Sequence, residues 1–367
     1  MKKFSFRARW INVVLAVAAV ASLTACDDEK ENELENQVPA ITQGMLVLNN
    51  GNMGKNIEGD ITYYDYATSK AYQDMFQRAN KRSLGNTPQC AIIYGSKMYI
   101  GVYKSEVVEV VDRYTMKSLK QIRLEGSEAT QPRSMVAKDG KVYISMYTGY
   151  VSRLDTVACE IDASVKVGPN PDVIGIHGDK LYVPNSNGMG AEEGYGKTAT
   201  EIDLASFTTT KTFEVPLNPT KFITCGGDLY VLCMGDYNEI LAALYHVDAT
   251  TYETEKVMNA TMMASHDSKL YVIDFPFQTK IATYSIYDTK TGKTASLLKD
   301  SKDAVDAPAG IQVDPITGDI FITSYVIDGG KPGYALPGYC KIYDRNGVYK
   351  SRFETGVGPT FLFPSLN

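Results

Sequence analysis

The chain repeats a unit of 40 to 56 residues seven times, and this repeat limits its fold more than any other feature. In each unit an apolar, strand-like run ends on an aspartate. The seven aspartates are Asp65, Asp112, Asp155, Asp203, Asp248, Asp288 and Asp344. Six units also carry a proline at one fixed place, and alanine stands there in the remaining unit: Pro88, Pro132, Pro171, Pro219, Ala260, Pro308 and Pro359. Periods of this length are typical of arrays or closed rings of small sheets.

Each unit predicts four short strands. The apolar run after the proline predicts the first strand, because a proline at the start of a strand removes no ladder hydrogen bond. The third strand ends on the aspartate, whose carboxylate can accept backbone N–H bonds and so favours a tight turn. The second strand carries a large apolar anchor. The anchors are Val47, Tyr99, Tyr143, Tyr182, Tyr230, Tyr271 and Phe321.

The two ends of the repeat region complete one another. Residues 44–77 supply only the last three strands of a unit, and Pro359–Phe363 supplies a first strand. Short apolar strands must pack sheet on sheet, and seven sheets closed into a ring leave no long exposed edge. We therefore predict an all-β fold over residues 44–367, a seven-bladed β-propeller whose C-terminal strand joins the N-terminal blade. No strong helical period follows residue 26.

Residues 1–25 have the layout of a secretory signal peptide. Four cations precede Ile11–Leu23, an apolar run of 13 residues that is too short for a stable membrane span. The sequence Leu23-Thr24-Ala25-Cys26 then resembles a bacterial lipobox, whose cysteine is lipidated and becomes the new N-terminus. We expect lipidation at Cys26, so that the protein is attached to a membrane by its lipid anchor alone.

Residues 26–43 are predicted to be a solvated tether, since Asp27–Asn36 contains six carboxylates and one lysine. The run also resembles the acidic signal that directs Bacteroidetes lipoproteins to the outer face of the outer membrane; a plain spacer is the alternative. Removing the four cations of the signal changes the formal net charge from −6 to −10. An acidic chain without a basic run is not expected to bind nucleic acid.

The cysteines and histidines do not form patterns that suggest chemistry. The five remaining cysteines have no metal-site or redox spacing, so isolated buried thiols are expected. They are Cys90, Cys159, Cys225, Cys233 and Cys340. His177 and His266 fall at first-to-second turns and His246 within a third strand, and the chain has no nucleophile elbow or phosphate loop. We expect a binding protein with no catalytic residue, cofactor or metal, and not an enzyme.

The positions of the variable loops indicate which face of the ring carries the binding site. In a four-stranded meander the first-to-second and third-to-fourth turns emerge on one face, and the second-to-third loops emerge on the other with the links between blades. From anchor to aspartate there are 12 or 13 residues in two blades, but 21 from Tyr182 to Asp203 and 23 from Phe321 to Asp344. Diverse loops on a rigid scaffold usually carry binding. These loops could close over a ligand or dock a partner protein.

Two rings of candidate binding residues are predicted on this loop face. The residue after each proline position should lie at the mouth of the central channel: Gln89, Arg133, Asp172, Thr220, Thr261, Ala309 and Thr360. Four residues after each anchor the second strand should enter its loop: Gly51, Tyr103, Tyr147, Ser186, Met234, Phe275 and Tyr325. Nearby loops add Tyr150, Tyr195, Tyr237, Phe277, Tyr334 and Tyr339.

A polar centre with an aromatic rim suits a large ligand that has apolar faces and many amide or hydroxyl groups. The ligand-binding residues predicted from the two rings are Gln89, Tyr103, Arg133, Tyr147, Asp172, Phe275 and Tyr325. The alternative is structural: polar groups at the mouth would hold channel water, and the aromatic groups would cap the packing between blades. Asp172 with Arg133 would then be an ordinary ion pair.

Residues 44–363 resemble the YncE-like propeller lipoproteins of Bacteroidetes. The resemblance is carried by Gly44–Gly54 with Tyr63-Tyr64-Asp65, by Gln131-Pro132-Arg133, by Val167–Pro171 and by Pro315–Ile320. This group includes surface cobalamin-capture lipoproteins of the BtuG type, which cap an outer-membrane cobalamin transporter. The shared motifs consist mostly of blade-building residues.

The resemblance implies a lipid-anchored protein on the cell exterior that captures cobalamin or another corrinoid for a TonB-dependent outer-membrane transporter. Tyr103, Tyr147, Phe275 and Tyr325 would contact the ligand's ring or its amides. Gln89, Arg133 and Asp172 would supply hydrogen bonds. Two alternatives remain: a glycan-binding lipoprotein whose aromatic side chains stack on sugars, and a scaffold or adhesion propeller whose ligand is another protein.

Overall fold

The four strands expected in each repeat pair as one antiparallel sheet in all seven units, so the prediction of a seven-bladed β-propeller is confirmed. The computed structural model describes residues 38–366. The expected signal peptide, Cys26 and the tether up to residue 37 lie outside the described residues. In the part of the chain that is described, no helix is long and apolar enough to cross a membrane.

The strands are numbered along the chain, and each blade is given from its innermost to its outermost strand. Blade 1 contains β30 (Pro359–Ser365), β1 (Gly44–Asn49), β2 (Asp60–Asp65) and β3 (Lys70–Tyr72). Blade 2 contains β4 (Pro88–Tyr94), β5 (Lys97–Val102), β6 (Val107–Asp112) and β7 (Ser118–Arg123). Blade 3 contains β8 (Pro132–Lys138), β9 (Lys141–Met146), β10 (Tyr150–Asp155) and β11 (Glu160–Lys166). Blade 4 contains β12 (Gly175–His177), β13 (Lys180–Asn185), β14 (Thr198–Asp203) and β15 (Thr208–Glu214).

The remaining blades follow the same order. Blade 5 contains β16 (Pro219–Cys225), β17 (Asp228–Cys233), β18 (Ala243–Val247) and β19 (Thr254–Asn259). Blade 6 contains β20 (Met262–His266), β21 (Lys269–Asp274), β22 (Thr283–Asp288) and β23 (Lys293–Ser296). Blade 7 contains β24 (Ala307–Val313), β25 (Ile320–Tyr325), β28 (Pro337–Tyr343) and β29 (Tyr349–Val357), and its long loop holds the hairpin β26 (Ile327–Asp328) and β27 (Lys331–Pro332). Short 3-10 helices span Met53–Lys55, Ala191–Glu193 and Ser301–Asp303.

The repeated aspartates build the turns into the fourth strands, as predicted. Each of the seven carboxylates accepts a backbone N–H bond from a residue two to four positions further on. These turns also bond to the first-to-second turns, as in Arg113 N–H to the Ser96 carbonyl at 3.1 Å and Thr289 N–H to the Ser268 carbonyl at 2.9 Å. The two kinds of turn therefore share one face of the ring, which we call the turn face.

Closure of the ring occurs where the sequence predicts it. Strand β30 pairs antiparallel with β1, from Gly44 opposite Ser365 to Asn49 opposite Pro359. The interface between blades 7 and 1 is then sealed by an apolar cluster that includes Met45, Phe321 and Leu362. Similar buried clusters join the other described pairs of blades from blade 2 to blade 7.

The sequence alignment of blade 1 was wrong by one residue. Six of the predicted anchors are buried at the third position of their second strands, or at the equivalent position. In blade 1 the pairing of β1 with β30 shows that Leu46, and not Val47, occupies this position. Leu46 lies opposite Phe363, just as Tyr99 lies opposite Ile92 in blade 2. The run from Met45 to Leu48 is apolar and buried throughout, so alternation could not fix the register from sequence.

One α-helix, α1 (Met75–Asn80), was not expected from the sequence. Its N-cap residue, Asp74, makes no side-chain cap bond. Asp60, from β2, does so instead: its carboxylate accepts the N–H groups of Phe76 and Gln77 at 2.8 and 3.0 Å. A helix this short has little intrinsic stability and depends on such tertiary bonds.

The five cysteines of the described region are free and buried, as the sequence predicted. Burial raises the pKa of the Cys90 thiol to about 12 and that of Cys225 to about 11. The thiols of Cys90 and Cys225 therefore remain protonated at neutral pH and act as small apolar side chains.

Ending the chain at Gly358 is expected to abolish cooperative folding. The truncation removes β30, exposes the ladder edge of β1 and deletes Leu362 from the cluster between blades 7 and 1. Urea unfolding followed by circular dichroism, with size-exclusion chromatography, should show aggregation or a broad transition. A matched truncation after Ser365 keeps the ladder and should unfold cooperatively; equal behaviour of the two proteins would contradict closure by β30.

Replacing Asp60 is expected to destabilise the protein, whereas replacing Asp74 is not. Asp60→Ala leaves the Phe76 and Gln77 N–H groups without their acceptor and should lower the free energy of unfolding by about 1–3 kcal/mol. Asp74→Asn, which keeps a residue type that tolerates the left-handed backbone at this position, should change it by less than about 0.5 kcal/mol, because Asp74 makes no side-chain cap bond. Urea titrations of both variants measure the difference, and the reverse order would show that α1 is capped locally.

Candidate functional site

Long loops surround most of the face opposite the turn face, which we call the loop face. In blades 2 and 3 the second and third strands are joined by residues 103–106 and 147–149 only. In blades 1, 4, 5, 6 and 7 they are joined by residues 50–59, 186–197, 234–242, 275–282 and 326–336. Exposed apolar side chains concentrate on these longer loops, including Met189, Leu241, Phe277, Ile281 and Tyr334. The loop face is therefore open at blades 2 and 3 and has an apolar rim elsewhere.

A repeated backbone hydrogen bond connects the two predicted rings of residues. The residue before the proline adopts a positive φ in five blades: Thr87, Gln131, Asn170, Asn218 and Gly358, at 61°, 65°, 41°, 60° and 71°. Four of these residues have side chains and occupy a sparsely populated region of the backbone map. Each carbonyl accepts the N–H of the residue just after the second strand of its blade: Tyr103, Tyr147, Ser186, Met234 and Asn50, at 2.8 to 3.3 Å. The start of each loop is thereby fixed to the mouth of the channel.

These backbone bonds show that Asn50, and not Gly51, is the blade 1 member of the second ring. The N–H of Asn50 bonds to the Gly358 carbonyl at 2.8 Å, and the Asn50 Oδ1 accepts the Thr360 hydroxyl at 2.8 Å. The difference follows from the one-residue shift of β1. Asn50 lines the central channel, and the sequence alignment missed it.

The innermost strands surround a channel cavity of about 740 Å³. Six of the seven first-ring residues line it: Gln89, Arg133, Thr220, Thr261, Ala309 and Thr360. Below them the wall is largely apolar and includes Ile174, Phe222 and Ile311. The expected polar mouth thus exists as a geometric feature, above an apolar wall.

Arg133 is the centre of a charged cluster at the mouth. Its Nε lies 2.7 Å from Asp172 Oδ1, and its Nη1 donates to Gln89 Oε1 at 3.2 Å. The guanidinium also lies 5.5 Å from the centre of the Tyr147 ring. The first ring therefore places Arg133 in direct contact with both Gln89 and Asp172.

Burial and charge act against each other in this cluster. Burial raises the pKa of Asp172 and the charge of Arg133 opposes that rise, leaving it above its ordinary value. Burial lowers the pKa of Arg133, but Asp172 outweighs it and the net shift is upward. The side chain of Asp172 is 9% exposed and that of Arg133 is 27% exposed. Arg133 therefore presents its charge to the channel, while Asp172 holds it in place.

Tyr103 and Tyr147 belong to the same side of the mouth. Their rings meet edge to face with centres 5.5 Å apart. Tyr103 is mostly buried, and its ring also contacts the Lys104 ammonium at 4.8 Å. Burial raises the pKa of Tyr147, so its hydroxyl stays protonated as a hydrogen-bond donor. The pair forms an aromatic wall beside Arg133.

Phe275 and Tyr325 lie in a different place, an apolar pocket of about 300 Å³ between blades 5, 6 and 7. Met234, Tyr237, Leu241, Phe277 and Tyr334 complete its apolar lining, with Asp274, Gln278 and Lys280 among the polar residues. The rings of Tyr325 and Tyr334 meet edge to face at 4.8 Å. This pocket can take a flat apolar group of a ligand.

A second crevice of about 320 Å³ lies between blades 7, 1 and 2, lined by Asn50, Asn52, Gln89, Tyr103 and Tyr325 among others. Tyr325 and Tyr334 border both this crevice and the apolar pocket, and Gln89 and Thr360 border both the crevice and the channel. The three cavities are therefore neighbours that form one composite site on the loop face.

The remaining predicted aromatic residues are dispersed. Tyr195 and Tyr237 meet at 5.8 Å between the loops of blades 4 and 5, and Tyr150 donates to Glu128 at 2.7 Å. Tyr339 is buried in the packing of blades 6 and 7, where its hydroxyl donates to Asp306 at 2.7 Å. Tyr339 thus has a structural role, because it lies within β28 and not in a loop.

Lys221 also lines the channel and was missed by the sequence alignment. Its ammonium donates to the Met263 carbonyl at 2.7 Å. Burial lowers its pKa to about 8, and the nearby Asp172 opposes that shift. The repeat does contain a sequence signal for Lys221, because the residue two positions after the proline position is charged in blade 5 only.

The three histidines lie apart, each beside a different group. His177 Nδ1 is 3.4 Å from the Thr224 hydroxyl, His246 Nε2 is 3.9 Å from Asp228, and His266 Nε2 is 3.5 Å from Asp267. No cluster of three His, Cys, Asp or Glu side chains that could hold a metal ion occurs within residues 38–366.

Comparison with known proteins identifies a family and a fold. The model of a family described as a domain of unknown function, DUF5074, matches residues 43–347. Among solved structures, hydrazine synthase of Kuenenia stuttgartiensis superposes with a TM-score of 0.58 and 17% identity, over 76% of this chain and 92% of that one. The computationally designed protein Ika8 aligns over 76% of this chain and 96% of its own, with 9% identity and a TM-score of 0.46. No curated protein matches the chain.

Arg133→Met is expected to lower the free energy of unfolding by about 2–3 kcal/mol at pH 8, because Asp172 loses its counter-charge while it remains buried. The folded-state pKa of Asp172 already lies above its unfolded value, and losing Arg133 raises it further. The destabilisation should therefore be small below the unfolded pKa and grow as pH rises through the folded pKa. Urea unfolding at pH 5 and pH 8 measures this trend.

Adding Asp172→Asn to Arg133→Met should recover part of the lost stability, because no carboxylate then remains buried without a counter-charge, while Lys221 loses the opposite charge that offsets its burial. A double variant that is as unstable as Arg133→Met, with no dependence on pH, would show that packing and not charge explains the effect.

Proposed function

We propose that this chain, which belongs to the DUF5074 family, captures a large amphipathic ligand on its loop face. The observation that carries the proposal is the contiguity of three cavities: an aromatic pocket, a polar crevice and a channel mouth with a fixed guanidinium. A ligand that spans them needs apolar surface at one end and hydrogen-bonding groups at the other. Such a composite site suits recognition by many moderate contacts.

A corrinoid, such as cobalamin, is the proposed ligand. Support comes from the resemblance to the YncE-like propeller lipoproteins of Bacteroidetes, a group that includes the BtuG type, together with the shape of the site. Phe275 and Tyr325 would contact an apolar part of the ligand, and Tyr103 with Tyr147 would border its edge. Gln89 and Arg133 would bond to its polar groups, while Asp172 acts through Arg133 because it is nearly buried.

The proposed setting is the outer surface of the outer membrane. Lipidation of Cys26 would anchor the protein, and the acidic run after it would be the export signal or a spacer. The ligand would pass to a TonB-dependent transporter. This role requires binding and release but no bond-breaking.

A glycan is the second candidate ligand, and the exposed rings favour it. Phe277 is 69% exposed, Tyr334 56% and Tyr237 43%, so that all three can offer a face to solvent. Aromatic faces of this kind can stack on the apolar faces of sugars. The same exposed rings and the neighbouring apolar loops would also suit a protein partner, the third possibility.

Residues 27–367 are expected to bind cobalamin saturably, as measured by isothermal titration calorimetry and by retention of colour on the immobilised protein. Phe275→Ala and Tyr325→Ala should each weaken binding at least about tenfold, because each removes a large contact from the pocket. Tyr114→Ala, an exposed tyrosine in a third-to-fourth turn of the opposite face, is the matched control and should bind normally.

Absence of saturable binding to any corrinoid would refute the corrinoid assignment. Binding on a glycan array that Phe277→Ala reduces would then favour the glycan. A protein partner recovered by pull-down equally well with Phe275→Ala and Tyr325→Ala would favour the scaffold instead.

A further inference from the structure

We propose that the central channel contains an anion-binding site in which Lys221 and Arg133 receive a phosphate or carboxylate group of the captured ligand. The inference deepens the proposed function, on which it rests for the role of the loop face. It adds that the end of the ligand that enters the channel carries a negative charge.

The charge of the channel lining is opposite to that of the chain. The formal net charge of the protein is −6, yet the described residues that line the channel include two cations and no carboxylate. The cations are Arg133 from β8 and Lys221 from β16. Asp172 contacts Arg133 but is nearly buried and does not line the cavity. An enclosed site with walls of low dielectric strengthens the attraction of such charges for an anion.

Lys221 is a local departure from the repeat. The residues two positions after the proline position are Cys90, Ser134, Val173, Lys221, Met262, Gly310 and Phe361. The other six are apolar, small or uncharged, which suits a tightly packed innermost strand. A lysine here costs free energy through burial and contributes nothing that the other blades need for packing. Its presence therefore indicates a role beyond the fold.

The hydrogen bonds leave donors available in the channel. The Lys221 ammonium has three N–H donors, and the described residues provide one acceptor, the Met263 carbonyl. Gln89 and Asn50 use their side-chain oxygens to accept bonds from Arg133 and Thr360. Their NH₂ groups therefore remain as donors. The channel lining therefore offers an oxyanion donors from two cations and two amides, and those from the cations form charge-assisted hydrogen bonds.

The protonation state of Lys221 supports this arrangement. Burial lowers its pKa to about 8, which leaves it mostly charged at pH 7. The charged group that acts on it is Asp172, from the segment before β12, and Arg133 lines the same channel. Among the described lining residues, the innermost strands β4, β20, β24 and β30 contribute no charged side chain. A bound anion would favour the ammonium form, so binding above pH 8 should be accompanied by proton uptake.

Sulfate and acetate are suitable probes, because the charge of each is constant between pH 6.5 and 10 and they mimic phosphate and carboxylate groups respectively. Binding to the mature protein is measured by isothermal titration calorimetry at low ionic strength. At pH 7 at least one probe should bind, and Lys221→Met should weaken that binding at least about tenfold. Lys269→Met, an exposed lysine at the turn-face end of β21, removes the same charge and should leave binding unchanged.

The pH profile of the unmodified protein tests the inference without a substitution. Affinity for the probe should fall as pH rises through about 8, and heats measured in buffers of different ionisation enthalpy should show proton uptake there. The better probe distinguishes a phosphate-like from a carboxylate-like ligand. Equal binding by Lys221→Met and the unmodified protein, or no binding of either probe at pH 7, would overturn the anion site.

Cobalamin binding measured on the same samples separates the two proposals. A protein that captures cobalamin but neither anion keeps its proposed function and loses the anion site. A protein that binds sulfate or acetate through Lys221 but captures no corrinoid or glycan keeps the anion site and loses the proposed function.

Discussion

The pairing of β30 with β1 is the interaction on which the rest of the structure depends. The strands that form the blades are three to nine residues long, and several second strands are buried along almost their whole length. Such strands need a neighbouring sheet on each side, and an open row of blades would leave two ends exposed. Pairing the last strand with the first removes those ends. The closed ring then holds the channel and the loop face in a fixed shape.

The two faces of the ring differ in which groups recur from blade to blade. On the turn face the seven aspartates make the same kind of bond in every blade, so that face is constant. On the loop face the recurring elements, in five of the seven blades, are backbone groups: the left-handed residue before the proline and the N–H that bonds to its carbonyl. Backbone strain of this kind is common at positions that the surrounding structure must hold firmly. Side chains around these fixed points are then free to vary.

Variation on the loop face produces a site with unlike halves. Blades 2 and 3 contribute Arg133, Tyr103 and Tyr147 beside short loops, whereas blades 5 to 7 contribute an apolar pocket under long loops. Lys221, from blade 5, brings positive charge into the channel between them. Such a site recognises a ligand that is apolar at one end and polar or charged at the other. Because the ring is rigid, little conformational entropy is lost when the ligand binds.

Most of the fold could be predicted from the chain alone, because the Asp and Pro repeats mark strand ends that local chemistry defines. Those repeats established the number of blades, the closing strand and the turn face, and they placed Gln89 and Arg133 at the mouth. The register of β1 could not be read from four consecutive apolar residues. The alignment of the repeats therefore assigned Val47 and Gly51 to the anchor and second-ring positions that Leu46 and Asn50 occupy. Only the tertiary structure decided which aromatic residues share a cavity, that Asp60 caps α1, and that Lys221 lines the same channel as Arg133. The physical reason is that these contacts join residues from different blades, whose distances are set by the packing of the closed ring and not by spacing along the chain.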